Sequence, residues 1–375
     1  FAPGATTATI EIEVLNDSLY EGVENFAVLL SPVQDGSSAP VFIQNGIGLG
    51  GINDEGGPSE PPPGPNVPPE VLDDDTPTVS INDVEVNEAA GKIIFTVTLS
   101  NPSTGEISLD FATEDLAAVA GEDYVGKTGK VTFAPGQTTA TIEIDVLNDA
   151  IYEGVENFAV LLSPVEGSAP VSIQNGIGLG GINDEGGPSE PPPGPNVPPG
   201  TPDDDRPAVS GISSPSATEG APLNFTVTLS HQSTTDTTVT LKLEGISATL
   251  DTDTGAVLVS TDGGTSFNPA TVNPDGTITV TVPANAPVDA LRVQVPTVAD
   301  AISEETETIR LSGSTDNNAA PLTGTGTIND GNGLPTLSVN DVEVNEAAGV
   351  AIFTVTLSNA SSTPVTVNYA TQDGT

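Results

Sequence analysis

Three acids recur at one fixed spacing along this chain: Asp17, Glu21 and Glu24, then Asp149, Glu153 and Glu156, then Asp300, Glu304 and Glu307. The pattern D-x-x-x-E-x-x-E offers carboxylate oxygens only. There is no cysteine, and the one histidine is His231. Thiolate and imidazole ligation are therefore out of reach, and oxygens of this kind suit a hard divalent cation, Ca²⁺ rather than zinc or copper. The third copy lies in a stretch whose other letters have mostly changed, yet it keeps its acids. Glu219 stands there in place of Glu88, and Asp330 in place of Asp184. Retention through internal divergence argues for a task beyond surface solvation.

Strands of period two must carry these acids. Ile93, Phe95, Val97 and Leu99 share one face, as do Ile142, Ile144 and Val146, and then Phe158, Val160 and Leu162. Each run reads as a half-buried antiparallel strand. Turn signals such as NEAAG at Asn87, NPSTG at Asn101 and APGQ at Ala134 separate them, giving seven strands, the count of an immunoglobulin-like sandwich. If successive strands reverse, Glu88, Glu114, Asp115, Glu122, Asp123, Asp149, Asp184 and Glu185 collect at one pole, where the loop holding Glu153 and Glu156 also begins. So many carboxylates together repel one another unless a cation neutralises them.

Composition agrees with a turn-rich, all-β chain that attracts cations. The 375 residues include 40 Gly, 34 Pro and 52 Asp+Glu against 7 Lys+Arg, a formal charge of −45. That charge excludes a surface for nucleic acid or anionic lipid. No apolar run is long enough to span a bilayer, so no membrane insertion is expected within this segment. With no disulfides available, bound metal is the expected source of extra stability.

Duplication sets the organisation. FAPGATTATIEIEVLND at Phe1 returns as FAPGQTTATIEIDVLND at Phe133, GGINDEGGPSEPPPGPNVPP at Gly50 returns unchanged at Gly180, and INDVEVNEAAG at Ile81 returns as VNDVEVNEAAG at Val339. The expected order is a C-terminal half-module at 1–57, a Pro-rich acidic linker at 58–75, a complete module at 76–187 and a second linker at 188–205. A diverged module at 206–333 and an N-terminal half-module at 335–375 follow. The half-modules add Asp54, Glu55 and Glu346 to the candidate acids. Starting and stopping inside a repeat, the chain reads as a window on something longer.

VEVNEAAG, the run from TEDLAAVAGEDYVG to VENFAVLLS, and GINDE resemble the Calx-β family, which forms calcium-sensing domains of sodium/calcium exchangers and occurs in arrays on bacterial surface proteins. The resemblance implies tandem immunoglobulin-like sandwiches, with Glu88, Asp123, Asp149, Glu153, Glu156, Asp184 and Glu185 at calcium-ligand positions and the Ile151 carbonyl as a further ligand. The diverged module is similar to calcium-dependent immunoglobulin-like repeats of giant bacterial adhesins. Its extra residues, roughly 244 to 275, replace the loop that holds Asp123, leaving Asp251, Asp253 or Asp262 to substitute. In the family the last strand commonly ends in three consecutive acids; here INDE runs into Gly186 and prolines.

A catalytic role is not expected. His231 has Ser230, Ser233 and Asp236 near it in sequence, but a nucleophile, base and orienting group normally meet from separate elements. The expected role is a calcium-stabilised stalk or adhesive fibre at the extracellular cell surface, partnered by Ca²⁺, by neighbouring repeats and by self-association. The alternative is a calcium-sensing regulatory module of a membrane transporter or receptor.

Overall fold

Alternation of Val, Ile, Phe and Thr leaves each strand with one apolar face, and pairs of sheets cover those faces. The computed structural model describes residues 1–33, 41–54, 74–185 and 203–374. Glu55, Asp73 and most of both Pro-rich linkers lie outside the described residues. Two compact units divide what is described, each with its own apolar core.

In chain order the first strands are β1 (Val23–Leu29) and β2 (Ile47–Asn53), an antiparallel pair. The complete module runs through β3 (Thr78–Ile81), β4 (Val84–Asn87), β5 (Lys92–Leu99), β6 (Ile107–Asp115), β7 (Thr128–Phe133), β8 (Thr139–Asp145), β9 (Ile151–Tyr152), β10 (Val155–Pro164), β11 (Ser172–Asn175) and β12 (Ile177–Asn183). One sheet has the order β4-β12-β10-β6-β7 and the other β11-β3-β5-β8. Between them Phe95, Phe133, Phe158, Ile93 and Ile144 are fully buried. Phe95 meets Phe158 edge-on, with ring centroids 6.0 Å apart, and Tyr124 stacks on Phe158 at 4.1 Å.

Strict reversal of strands does not hold at the start of the module. The stretch expected as a single first strand breaks into β3 and β4, one in each sheet, and both pair in parallel, with β11 and β12 respectively. The break is built from side chains. Asn82 Oδ1 accepts from the Thr96 N–H of one sheet (2.7 Å), while Asp83 Oδ1 accepts from the Leu179 N–H of the other (2.8 Å).

The strand opposite β10 also needs small residues. A Cβ at Gly180 would come within 2.6 Å of the Phe158 ring and 2.9 Å of the Phe95 ring. Gly180→Ala should therefore lower stability by about 1–3 kcal/mol, the usual range for overpacking a filled core, as read by denaturant unfolding. Gly136, at positive φ on an open turn with no atom near its missing Cβ, is the position to compare for backbone strain alone.

The second core lies in a similar sandwich: β13 (Val209–Ile212), β14 (Ser216–Thr218), β15 (Leu223–Leu229), β16 (Gln232–Ser233), β17 (Thr237–Gly245), β18 (Leu258–Ser260), β19 (Asn268–Pro269), β20 (Thr277–Val282), β21 (Leu291–Val295), β22 (Ile302–Ser303), β23 (Glu307–Ser314) and β24 (Leu322–Asn329). The sheets are β13-β15-β21-β18-β19 and β14-β24-β23-β17-β20. The same switch recurs with different residues: the Ser213 hydroxyl accepts from Thr226 N–H (2.7 Å) and the Ser214 hydroxyl from Thr325 N–H (3.0 Å). Strands β25 (Leu337–Val339) and β26 (Val355–Leu357) pair beyond it.

Candidate metal centres

Each recurring acid triplet opens on the same local turn. The carboxylates of Asp17, Asp149 and Asp300 accept the backbone N–H two residues on, from Leu19 (2.8 Å), Ile151 (2.7 Å) and Ile302 (2.7 Å). This Asx turn bends the chain so that the following glutamates lead into a strand, β10 in one module and β23 in another. At the start of the complete module, Asn87 caps a short 3₁₀ turn by accepting from Ala89 N–H (3.1 Å), which places a buried Glu88 directly beside the end of β4. Asp184, just past β12, is only 4 % exposed.

The loops that follow β6 and β17 deliver one more acid each, by one construction. Asp123 N–H donates to the Val119 carbonyl (3.0 Å), its Oδ2 accepts from Val119 N–H (2.6 Å), and its carbonyl accepts from Leu147 N–H (2.9 Å). Asp253 repeats all three bonds, with Thr249 (3.0 and 2.5 Å) and Val298 (2.9 Å) as partners. The choice that the sequence leaves open among Asp251, Asp253 and Asp262 thus falls on Asp253. Asp262 is consumed elsewhere: it accepts from Ser260 Oγ, Ser266 Oγ and the N–H groups of Thr265 and Ser266, which hold its carboxyl well below the ordinary range.

Two groups of three carboxylates result, each with ligand atoms within 4.8 Å of one another: Asp123, Glu153 and Glu156; and Asp253, Glu304 and Glu307. Their proximity shows in their acidity. Burial, then Asp123, Asp184 and Glu122, push Glu156 up to about 7. Burial, then Asp253, Glu304 and Glu219, push Glu307 up to about 7. Glu304 is raised by burial, Asp300, Asp253 and Asp330, and Glu219 by burial, Asp330, Asp300 and Glu304. These mutual effects tie Glu219, Asp253, Asp300, Glu304, Glu307 and Asp330 into one field of negative charge. One oxygen of Glu219, Oε2, is buried with no hydrogen-bond partner, the position in which a carboxylate needs a cation.

The remaining candidates are placed more loosely. Asp54 Oδ2 accepts from Glu21 N–H (2.8 Å), and Glu21 is raised by Glu24, then by burial, Asp17 and Asp54, so the first partial copy keeps the same neighbourhood. Asp330 accepts from Ser303 Oγ (3.2 Å) and Asn332 N–H (2.8 Å). Glu346 is exposed on its 3₁₀ turn, and Glu185 joins neither group of three. Asp115, one of the acids expected at the pole, is instead a support: it accepts from Tyr124 Oη (2.5 Å) and Ala120 N–H (2.9 Å). Tyr124 itself, stacked on Phe158 beneath the Asp123 loop and pushed up to about 12 by burial, is a part of the site that the acid spacing did not reveal. His231 contacts Asp205 (3.4 Å), not the nearby serines or Asp236, whose carboxylate accepts from Ala284 N–H.

Oxygen donors alone, crowded so that burial and neighbouring acids disfavour their ionisation, define a class: β-sandwich modules carrying clusters of carboxylates that could hold a divalent cation. The Calx-beta domain matches residues 1–53, 73–182, 219–332 and 329–375, and the chain belongs to that family. The diverged module is thus matched by the same family as the others. Over 74 residues the chain is 45 % identical to sodium/calcium exchanger 1 of Rattus norvegicus, covering 20 % of this chain and 8 % of the exchanger. Over 171 residues it is 28 % identical to sodium/calcium exchanger 2 of Homo sapiens, covering 43 % of this chain and 17 % of that protein. The chain therefore spans less than a fifth of the length of these relatives. Among solved structures it matches the apo-form Calx CBD1 domain (27 % identity, 29 % of this chain and 96 % of that chain, TM-score 0.27) and the calcium binding domain CBD12 of CALX1.1 (16 %, 63 % and 80 %, TM-score 0.28).

The donor sets here, carboxylate oxygens alone, fit Ca²⁺. The stalk or adhesive-fibre role at the cell surface is corrected by these findings: the curated relatives are ion exchangers, which side with the regulatory alternative. Among the described residues no helix is long and apolar enough to cross a membrane.

The contrast between two aspartates tests the second group. Asp253→Ala should weaken calcium binding at that module at least tenfold, about 1.4 kcal/mol, in a calorimetric titration. Asp262→Ala should leave the affinity unchanged, because its oxygens are already engaged by Ser260 and Ser266.

Proposed function

We propose that this chain is a calcium-sensing regulatory region of a larger membrane transport protein. The observation that carries the reading is the pair of carboxylate groups, Asp123 with Glu153 and Glu156, and Asp253 with Glu304 and Glu307, in a chain whose curated relatives are sodium/calcium exchangers. Glu88, Asp149, Asp184 and Glu185 complete the proposed ligand set of the module at 76–187, and Glu219, Asp300 and Asp330 that of the module at 206–333. Asp17, Glu21, Glu24, Asp54 and Glu55 belong to a partial module at 1–57, and Glu346 to one at 335–375. The Pro-rich segments at 58–75 and 188–205 separate modules, although Asp204 and Asp205 fit better as the base of the second sandwich: Asp204 pairs with Arg206 (2.8 Å) and Asp205 is only 4 % exposed.

Bound calcium supplies the positive charge that these acids lack. The chain's part is to bring acids from separate loops within 4.8 Å of one another, so that their mutual repulsion is relieved when a cation binds among them. Without the ion, Glu156 and Glu307 relieve that repulsion by keeping a proton. A site that exchanges protons for calcium near neutral pH responds reversibly to calcium concentration, which is what a sensor requires.

Affinity discriminates the reading. Sensor sites bind calcium with Kd of about 10⁻⁷ to 10⁻⁵ M, and extracellular modules with about 10⁻⁴ to 10⁻³ M. Calorimetric titration of the whole chain at physiological ionic strength should give at least one class of sites in the sensor range. Millimolar sites alone would sink the proposal.

A further inference from the structure

One outward sheet face of the complete module is built differently from the same face of the diverged module. Glu156 aligns with Glu307 and Asn183 with Asn329, so β10 corresponds to β23 and β12 to β24. On the diverged face the outward residues Arg310, Ser312, Thr323 and Thr325 are polar. Arg310 stands opposite Glu244 of β17, and Ser312 opposite Lys242. Glu244 is neutralised within its own sheet, by Arg310 (2.6 Å) and by Lys242 (3.1 Å).

The complete module keeps the acid and lacks both cations. Ala159 takes the place of Arg310 and stands opposite Glu114, the counterpart of Glu244; Leu161 takes the place of Ser312 and stands opposite Ala112, the counterpart of Lys242. On the other side of β10, Leu179 pairs with Ala159 and Ile177 with Leu161, where the diverged module has Thr325 and Thr323. Ile177 and Leu179 are 53 % and 41 % exposed. Among the described residues Glu114 has no ion pair: Lys130 of β7 is held by Asp110 (2.9 Å), and Lys127 donates to the Glu143 carbonyl (2.8 Å). Contiguous apolar side chains with an acid at their rim mark an interaction site.

The chemistry of the face selects its occupant. A cation is missing beside Glu114, and a chain of formal charge −45 repels further copies of itself, so the occupant is basic as well as apolar. It is not an added strand. In the order β4-β12-β10-β6-β7, each of β12, β10 and β6 has a neighbour on both sides, so their backbone groups are already paired. A segment lying across them meets side chains only and must satisfy its own backbone, which an α-helix does.

We propose that this face of the complete module docks an amphipathic α-helix of a partner protein, whose leucine-like side chains cover Ile177, Leu179 and Leu161 and whose arginine meets Glu114 as Arg310 meets Glu244. The docking stands apart from the calcium reading, because none of these residues belongs to the group of Asp123, Glu153 and Glu156.

Fluorescence anisotropy tests it on the full chain, with calcium in excess and at physiological ionic strength. The probe is a labelled synthetic peptide of about 18 residues, long enough to hold a helix, with leucines and one arginine on one face and alanine and glutamine elsewhere. The wild-type chain should bind it, and the same peptide with glutamine in place of the arginine should bind about tenfold more weakly or worse. Ala159→Arg supplies the missing cation from within the chain and should weaken binding of the arginine peptide by a similar factor. Leu179→Thr, which changes no charge, should weaken it several-fold. Both variants install residues that the diverged module carries at the same positions of a folded sheet, Arg310 and Thr325, so the melting of each should stay near that of the wild type. A wild-type chain that does not bind the arginine peptide overturns the proposal. So does equal binding by the wild type and both variants, which is what diffuse attraction to an acidic chain gives, or equal binding of the two peptides.

Discussion

Removing calcium should lower the melting temperature of the chain by about 10 °C or more. At a calcium concentration about 100-fold above Kd, binding to the folded state alone adds roughly 2.7 kcal/mol per site, and each kcal/mol is worth about 4–8 °C in a domain of this size. The effect should be large here because the apo state begins from a deficit. Glu219 keeps a buried carboxylate oxygen without a hydrogen-bond partner, and Glu304 and Glu307 sit against Asp253. Calorimetric scans in calcium and in chelator provide the measurement, and superimposable curves would refute a role for the metal in either unit.

Acidification should act in opposite directions on the two forms. Glu156 and Glu307 lose a proton near 4.5 in an unfolded chain and near 7 in the folded one, because burial and neighbouring acids favour the neutral form. Folding therefore favours proton uptake at these two groups. In chelator their contribution to stability is fully present below about 4.5 and is lost as pH rises through about 7. In calcium the same carboxylates must be ionised to serve as ligands, so the stabilisation by metal is greatest above about 7 and fades as protons compete below it. The difference in melting temperature between the two conditions should then be wide at pH 8 and narrow at pH 6. Calcium titrations at the two pH values should show weaker binding and proton release at the lower one. A calcium affinity independent of pH over this range would mean that neither glutamate is a ligand.

The cations of the chain sharpen this expectation, because most are engaged elsewhere. Lys92 pairs with Glu143, Lys130 with Asp110, Lys242 and Arg310 with Glu244, and Arg292 with Asp289. These pairs are exposed and contribute little to stability. They leave the crowded acids to be neutralised by protons or by metal.

Much of this was written in local pattern. Period-two alternation along Ile93 to Leu99 and Ile142 to Val146 is a property of the strand itself, and the buried faces are the ones it indicates. The D-x-x-x-E-x-x-E spacing already contains the Asx turn at Asp149 and the glutamates that follow it, since each bond there spans two residues. Repeated text fixed which segments are copies. The role of the whole chain was not contained in these signals: the duplicated modules and proline spacers point to a stalk, a reading that the exchanger relatives correct.

Other features depend on groups far apart in sequence, and for these only the folded chain decides. Asn82 and Asp83 are neighbours, but their partners Thr96 and Leu179 belong to different sheets, so the switch that makes β3 and β4 separate strands is invisible in the letters. Asp253 and Asp262 are equally acidic and equally placed in a long insertion. One meets Glu304 and Glu307 because Val298 N–H ties its loop to the connection between β21 and β22 ahead of them, and the other folds back on Ser260 and Ser266. The raised acidity of Glu156 likewise comes from burial and from Asp123, Asp184 and Glu122, brought together from three parts of the module. Sequence determines which residues can face inward or bind a cation, because those are properties of the residue and its near neighbours. Tertiary structure determines which of them do so, because burial and charge repulsion act through space.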